Sequence, residues 1–356
     1  MLEYLLFAFG FVFLVKGAGF LVDGASSIAK RFGVAPVVIG LTLVAFGTSF
    51  PELVVNIFAS GESSDIALGN ILGSNISNIL LILGLCALIV PIKIPKNTIW
   101  KEIPFSLIAV VVLAIIVNDM LFVGSPSFLS RGDGLILLIF FLIFLYYVSI
   151  LIRYYHPRKT RKEIEKLRFD KYVLNKARKT VEGLDKVVLD TIQFKPLEKQ
   201  IQIKTRPFPV SIVMILLGLA GLVIGGQWVV DGAVFIARSF GLSEALIGLT
   251  IIAIGTSLPE LVTSLVAIKK KNFDISVGNI VGSNIFNVFF ILAISSLIRP
   301  LSFSYMLNFD LVVVLASSFL LFLFMFIGKK HTLDRWQGLV FVLFYIAYLV
   351  FLVYRG

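Results

Sequence analysis

Two short stretches hold an unusual set of oxygen-bearing groups. Gly47-Thr48-Ser49-Phe50-Pro51-Glu52 and Gly255-Thr256-Ser257-Leu258-Pro259-Glu260 each place a carboxylate three and four residues after two hydroxyls, with a proline in between. Proline lacks a backbone N–H and its ring clashes with the carbonyl four residues earlier, here that of Gly47. Both stretches lie in long apolar runs, so the pattern predicts helices broken near mid-membrane. Loosened carbonyls, the Thr48 and Ser49 hydroxyls and the Glu52 carboxylate would then converge, with Thr256, Ser257 and Glu260 doing the same. All are oxygens, a donor set suited to hard cations such as Ca2+ or Na+.

A second pair of stretches follows. Gly69-Asn70-Ile71-Leu72-Gly73-Ser74-Asn75-Ile76-Ser77-Asn78 recurs at 278–287 with two differences. Asn70, Ser74 and Asn78 fall at i, i+4 and i+8, near one helix face, as do Asn279, Ser283 and Asn287. Gly69 and Gly73 allow close helix approach. A carboxylate at the bilayer centre costs about 2.5–3.5 kcal/mol on insertion scales. Two sharing a site also repel one another. A divalent ion, two monovalent ions or protons offset that cost. A loaded site is therefore tolerated where an empty one is not, which is the physical basis of exchange.

The elements that must position these groups follow from composition. Of 356 residues, 58% are hydrophobic and 15% charged, against about 25% charged in a soluble domain. That excludes a soluble fold and a disordered chain. Ten apolar spans are read at 4–28, 35–60, 66–91, 102–122, 134–153, 208–236, 243–268, 275–298, 309–328 and 336–354, each near the ~20 residues a spanning helix needs. Residues 156–206 carry 15 Lys/Arg against 7 Asp/Glu, eight of the chain's eleven net positive charges. Basic loops stay in the cytoplasm, so this loop is expected inside and both termini outside. The short turns agree: Lys30, Arg31, Lys93, Lys96, Lys101, Lys269, Lys270, Lys271, Lys329, Lys330 and Arg335 fall inside. Glu62, Asp65, Asp119, Arg131, Asp133, Glu244 and Arg299 fall outside. The first span has Glu3 in place of a basic leader region and is read as retained.

The motifs belong to an internal repeat. Residues 40–53 and 248–261 are identical at ten of fourteen positions, and Val22-Asp23-Gly24-Ala25 returns as Val230-Asp231-Gly232-Ala233. Five spans per half make the second half enter from the opposite side. The expected fold is an all-α polytopic membrane protein, with ten transmembrane helices in two inverted five-helix repeats broken at the midplane. The expected organisation is a first repeat over 1–155, a basic cytoplasmic loop over 156–206 and an inverted repeat over 207–356.

With both motifs recurring at matched spacing in inverted copies, the chain resembles the sodium/calcium exchanger family of the cation/calcium antiporter superfamily, its compact prokaryotic members above all. The resemblance covers both halves and leaves out the central loop. It implies a core of spans 2, 3, 7 and 8, across which spans 1 and 6 slide to give alternating access. It implies Ca2+ binding by Glu52 and Glu260 with the carbonyls of Thr48 and Thr256. It further implies Na+ sites at Ser49, Ser74, Ser257 and Ser283 with the carbonyls of Ala45 and Ala253, completed by Asn78 and Asn287. Some members carry Asp at the position of Asn287. Here both positions are Asn, leaving two carboxylates, a lower negative charge that also resembles the proton/calcium branch.

Other polar residues have blander readings. Asp23 and Asp231 are read as capping or packing residues near the cytoplasmic turns. Lys16, matched by Ile224, is read as snorkelling or as held in a local salt bridge. The Asn75-Ile76-Ser77 sequon lies within a span and is set aside. Cys86 alone builds no disulfide or zinc site, and His156 and His331 lie outside the spans. The loop lacks the dense acidic clusters of a Ca2+ sensor and is read as a solvated tether, with 163–188 able to lie on anionic lipid. The reading is a secondary antiporter exchanging Ca2+ for Na+, with H+/Ca2+ exchange and a cation channel as alternatives. Asp133 has no partner Asp and no nucleophile–base pair occurs, so an enzyme is not expected. No cofactor and no nucleic acid are expected, only Ca2+, Na+, possible H+ coupling and membrane lipid. A monomer in a prokaryotic plasma membrane is expected.

Overall fold

A computed structural model describes residues 2–62, 64–118, 127–154, 206–240 and 253–355. The central loop with His156, and also Asp119, Glu244 and the start of the second motif, lie outside the described residues. The described chain is helical almost throughout. In hydrocarbon each backbone N–H and C=O must be paired within its own segment, and an apolar helix does this.

The helices run in order as α1 (Leu2–Phe32), α2 (Pro36–Thr48), α3 (Phe50–Glu62), α4 (Ile66–Ile89), α5 (Thr98–Ile116), α6 (Arg131–Tyr154), α7 (Phe208–Ser239), α8 (Ala253–Thr256), α9 (Leu258–Lys269), α10 (Phe273–Ile298), α11 (Leu307–Phe324) and α12 (Arg335–Arg355). Eight of them are long and apolar enough to cross a membrane, and the bent pair α2–α3 makes a ninth span. The tenth expected span, 243–268, is described only from α8 onward. The fourth span begins at Thr98 and ends at Ile116, earlier than the 102–122 read from hydropathy. Its first turn holds Lys101 and Glu102, charges that mask a helix start.

The predicted breaks are present in both halves. The chain bends by 40° between α2 and α3. Ser49 sits at φ −84°, ψ 7° and Ser257 at φ −86°, ψ 4°, in the sparsely allowed region between helix and strand. Each serine then opens the next helix: the Leu53 N–H donates to the Ser49 carbonyl at 3.1 Å and the Leu261 N–H to the Ser257 carbonyl at 3.0 Å. The prolines fall at the second helical position, where a missing N–H costs nothing. Wider π-type turns appear at Ser77–Leu83 and Asn287–Ile291. They enclose or begin at the last Asn of the repeated motif, and such turns cluster at functional sites.

Four two-residue strands depart from an all-helical reading: β1 (Ile92–Lys93), β2 (Phe128–Leu129), β3 (Leu301–Ser302) and β4 (Thr332–Leu333). β1 pairs antiparallel with β4, placing Ile92 opposite Leu333, and β2 pairs with β3, placing Leu129 opposite Leu301. Each ladder joins the segment after the third span of one half to the segment before the fifth span of the other. That exchange is what an inverted repeat requires.

α1 and α7 lie against each other along most of their length. A Cβ added at Gly218 would stand 2.6 Å from the Leu21 nitrogen and 2.8 Å from the Gly17 carbonyl oxygen. Only hydrogen atoms fit there, so the two backbones are in contact. In the core, a Cβ at Gly278 would meet the Val37 carbonyl at 2.6 Å. The close approach expected at Gly69 and Gly73 thus occurs at their counterparts Gly278 and Gly282. A Cβ at Gly69 would meet only the Leu307 side chain, at 4.0 Å.

Candidate functional site

The two breaks bring the motif residues of both halves to one buried centre. Glu52 and Glu260 are each 1% exposed. Thr48, Ser49, Ser74, Asn78, Ser257, Ser283 and Asn287 are buried, and Thr256 is half-buried. Four of the bonds they make cross between the halves as two matched pairs. The Thr48 hydroxyl donates to Asn279 Oδ1 at 3.0 Å, and that of Thr256 to Asn70 Oδ1 at 3.3 Å. Asn78 Nδ2 donates to Asn284 Oδ1 at 2.9 Å, and Asn287 Nδ2 to Asn75 Oδ1 at 3.0 Å. Ser49 and Ser283 both donate to Glu260 Oε1, at 3.0 and 3.4 Å, and Ser257 donates to Ser74 at 3.4 Å.

These bonds leave several acceptors over, and one donor, Asn70 Nδ2. Glu52 Oε2, Glu260 Oε2, Asn78 Oδ1 and Asn287 Oδ1 are buried with no hydrogen-bond partner. Buried polar atoms are paired in all but a few per cent of cases, and a buried unpaired carboxylate costs several kcal/mol. Two carboxylate oxygens and two amide oxygens without donors are the kind of ligand atoms that hard cations take. Among the described residues no group of three His, Cys, Asp or Glu could hold a metal, so a cation here would depend on two carboxylates and neutral oxygens. The Ala45 carbonyl accepts from the Ser49 N–H at 2.9 Å. The Thr48 hydroxyl lies 3.3 Å from the same carbonyl, but its one hydrogen goes to the nearer Asn279 Oδ1, which leaves that carbonyl a lone pair. Ala253 opens the short α8.

Asn75 and Asn284 were not singled out from the sequence, yet each ties one half's terminal Asn to the other half. The signal was available: Asn75 and Asn78 are i, i+3 neighbours, on one helix face, and the spacing recurs at Asn284 and Asn287.

A cavity of about 600 Å3 reaches this centre from one end of the molecule. Its walls include Pro51, Thr256 and Pro259 of the core and Gln227 and Asp231 of α7, and it extends to Glu3. At the opposite end, Lys270 Nζ donates to Asp23 Oδ1 at 2.6 Å and to the Gly19 carbonyl at 2.8 Å. This joins α1 to the turn that follows α9. The shared reading of Asp23 and Asp231 is corrected here. α1 and α7 are antiparallel, so the two residues lie at opposite ends. Asp23 packs in an ion pair, and Asp231 lines the cavity while accepting from Gln227 Nε2 at 2.8 Å. Lys16 is exposed, as snorkelling requires. Buried Asp310, held by Tyr348 and Arg355 at 2.8 and 2.9 Å, and buried Glu102, bonded by the Tyr147 hydroxyl, lie away from the centre in α11 and α5.

Two inverted, interlocked bundles with broken helices around a buried polar centre define a membrane transporter. The description "Sodium/calcium exchanger protein" belongs to a family model that matches residues 2–150 and 210–354, and the chain belongs to that family. It is 36% identical to Sodium/calcium exchanger MaX1 of Methanosarcina acetivorans, over 99% of both chains. It is 35% identical to Inner membrane protein YrbG of Escherichia coli, over 82% of this chain and 78% of that one. The solved structure of the Sodium/Calcium Exchanger from Methanococcus jannaschii aligns with a TM-score of 0.75 at 32% identity, over 98% of both chains. The chain is thus a multi-pass membrane antiporter of the calcium-transporting class, and its relatives are transporters and not enzymes.

Proposed function

We propose that this chain exchanges Ca2+ for Na+ by alternating access. The observation that carries the reading is the set of four buried acceptor atoms without donors: Glu52 Oε2, Glu260 Oε2, Asn78 Oδ1 and Asn287 Oδ1. Ca2+ is bound between the two carboxylates with the carbonyls of Thr48 and Thr256. Na+ ions take the flanking positions at Ser49, Ser74, Ser257 and Ser283, with the carbonyls of Ala45 and Ala253, and Asn78 and Asn287 close the centre. One Ca2+ or a pair of Na+ neutralises the two carboxylates, so binding of either excludes the other. No resident cofactor takes part.

The packing supports alternation. α1 and α7 are in backbone contact and move together across the core. The 600 Å3 cavity is the open path, and the Lys270–Asp23 contact closes the opposite one. The basic end faces the cytoplasm by the positive-inside rule, with both termini outside. Residues 1–155 and 207–356 form the repeats and 156–206 the tether. One chain holds the whole site, which supports a monomer in a prokaryotic plasma membrane.

A second reading has its own observation. With Asn at both 78 and 287, the site has only two carboxylates, a charge that one Ca2+ or two protons also balance. Ca2+ uptake into proteoliposomes separates the two readings. The expected result is uptake driven by a Na+ gradient and abolished in Glu52→Gln and Glu260→Gln. Uptake driven only by a pH gradient would move the chain to proton exchange, and no coupled uptake with either would remove the calcium assignment.

A further inference from the structure

A second cavity, of about 490 Å3, lies at the basic end, away from the buried polar centre. Lys93 and Lys96 enter it from β1 and the segment after it, Lys271 from the turn between α9 and α10, and His331 from the residue before β4. Asp274 is the one carboxylate among its lining residues. With the histidine neutral, three lysines against one aspartate leave a net charge of +2. Among the described residues, neither the three lysines nor His331 forms an ion pair.

Backbone geometry singles out the same place. Lys271 and His331, at φ 61° and 60°, are the two non-glycine residues with positive φ among those described, and both line this cavity. Lys271 follows the end of α9, where the Asn272 N–H returns to the Ala267 carbonyl at 2.8 Å and the Lys271 N–H to that of Ile268 at 2.9 Å. In that helix-ending motif the position is usually glycine, which adopts it without strain. Lysine stands there instead, and strained residues held in place by their surroundings cluster at ligand sites.

The level in the membrane identifies the ligand. Trp100, 54% exposed, opens α5 four residues after Lys96, and Trp336, 47% exposed, opens α12 five residues after His331. Exposed tryptophans at helix ends mark the boundary between hydrocarbon and headgroups. The cavity therefore lies at headgroup depth, with lysine ammonium groups that suit a phosphate.

We propose that this cavity binds the phosphate headgroup of an anionic membrane lipid. Both halves supply its walls, β1 from the first and the α9–α10 turn and His331 from the second. An occupied cavity thus ties the repeats together at this end.

The test uses the full chain in nanodiscs of phosphatidylcholine with phosphatidylglycerol, with retained lipid read by native mass spectrometry. The combined Lys93→Gln, Lys96→Gln and Lys271→Gly variant should retain phosphatidylglycerol roughly a hundredfold less, about fivefold per lysine. Lys271→Gly alone relieves the strained φ and should fold at least as well while losing about fivefold. The control Lys329→Gln with Lys330→Gln neutralises lysines of the same end outside the cavity and should retain lipid as the parent does. Equal loss in control and cavity variants would reduce the effect to general surface charge and overturn the proposal. So would thermal stabilisation by inorganic phosphate equal to that by phosphatidylglycerol, which would mark a soluble-anion site, or no loss in any variant.

Discussion

Lys270 is the side chain through which the closed path should be opened by mutation. Its ammonium group joins the turn after α9 to Asp23 and Gly19 of α1, so it must let go when α1 moves. The side chains of Lys270 and Asp23 are 32% and 43% exposed. Solvent screening at that exposure limits the pair to about 0.5–1 kcal/mol, and the bond to the Gly19 carbonyl adds about 1 kcal/mol. Lys270→Gln keeps a donor for Gly19 and loses the ion pair, so opening at this end should rise about two- to fivefold. Lys270→Met loses both and should raise it about ten- to thirtyfold. The reporter is Gly19→Cys in a Cys86→Ser background, since a Cβ at Gly19 meets only Lys270 Nζ, at 3.7 Å. Its modification by a membrane-impermeant maleimide, applied from the basic side, reads the opening. Exchanging the charges, Asp23→Lys with Lys270→Asp, should recover the ion-pair share relative to Lys270→Asp alone. Equal labelling in the parent and Lys270→Met, with equal Ca2+ flux, would refute the view that this contact holds the path shut.

Two further outcomes follow from the packing. Gly218→Ala puts a methyl group 2.6 Å from the Leu21 nitrogen and should lower stability by about 1–3 kcal/mol. Gly221→Ala, whose nearest contact would be 3.2 Å, should cost less, and thermal melts of both in one detergent check the order. Asn284→Ala leaves the buried Asn78 amide without its acceptor, a cost of about 1–3 kcal/mol, but spares the Asn75 bond to the Asn284 backbone carbonyl. It should raise the KM for Ca2+ more than it lowers the maximal rate, measured by uptake over a range of Ca2+ concentrations.

The carboxylates were legible in the sequence because Glu52 and Glu260 recur with their prolines in an inverted repeat. Chance does not place an ionisable residue at the same depth twice. The Ser49 and Ser257 breaks were legible for the same reason, since proline acts locally. Asn75 and Asn284 were missed because the stripe was drawn every fourth residue on a regular helix. The helix widens at Ser77–Leu83, and the pairing partner stands 206 residues away. The β1–β4 and β2–β3 ladders are two residues long, too short for an alternation pattern, and exist only because the halves meet. Asp310 and Glu102 stand 208 residues apart, the same offset as Glu260 and Glu52, and their partners Arg355 and Tyr147 each lie 45 residues further on. They were missed because one acid is Asp and the other Glu, in segments that share little other sequence.

The reciprocal bonds have a consequence for biosynthesis. Asn78 needs Asn284, Thr48 needs Asn279, and the second half needs Asn75 and Asn70 in return. While the ribosome is still making the second half, the first half already lies in the bilayer with Thr48, Asn75 and Asn78 lacking these partners. Each unsatisfied polar group in hydrocarbon costs several kcal/mol. The newborn half is therefore a client for insertion chaperones and quality-control proteases until its twin arrives, and a chain stopped after the first half should be degraded rather than stored.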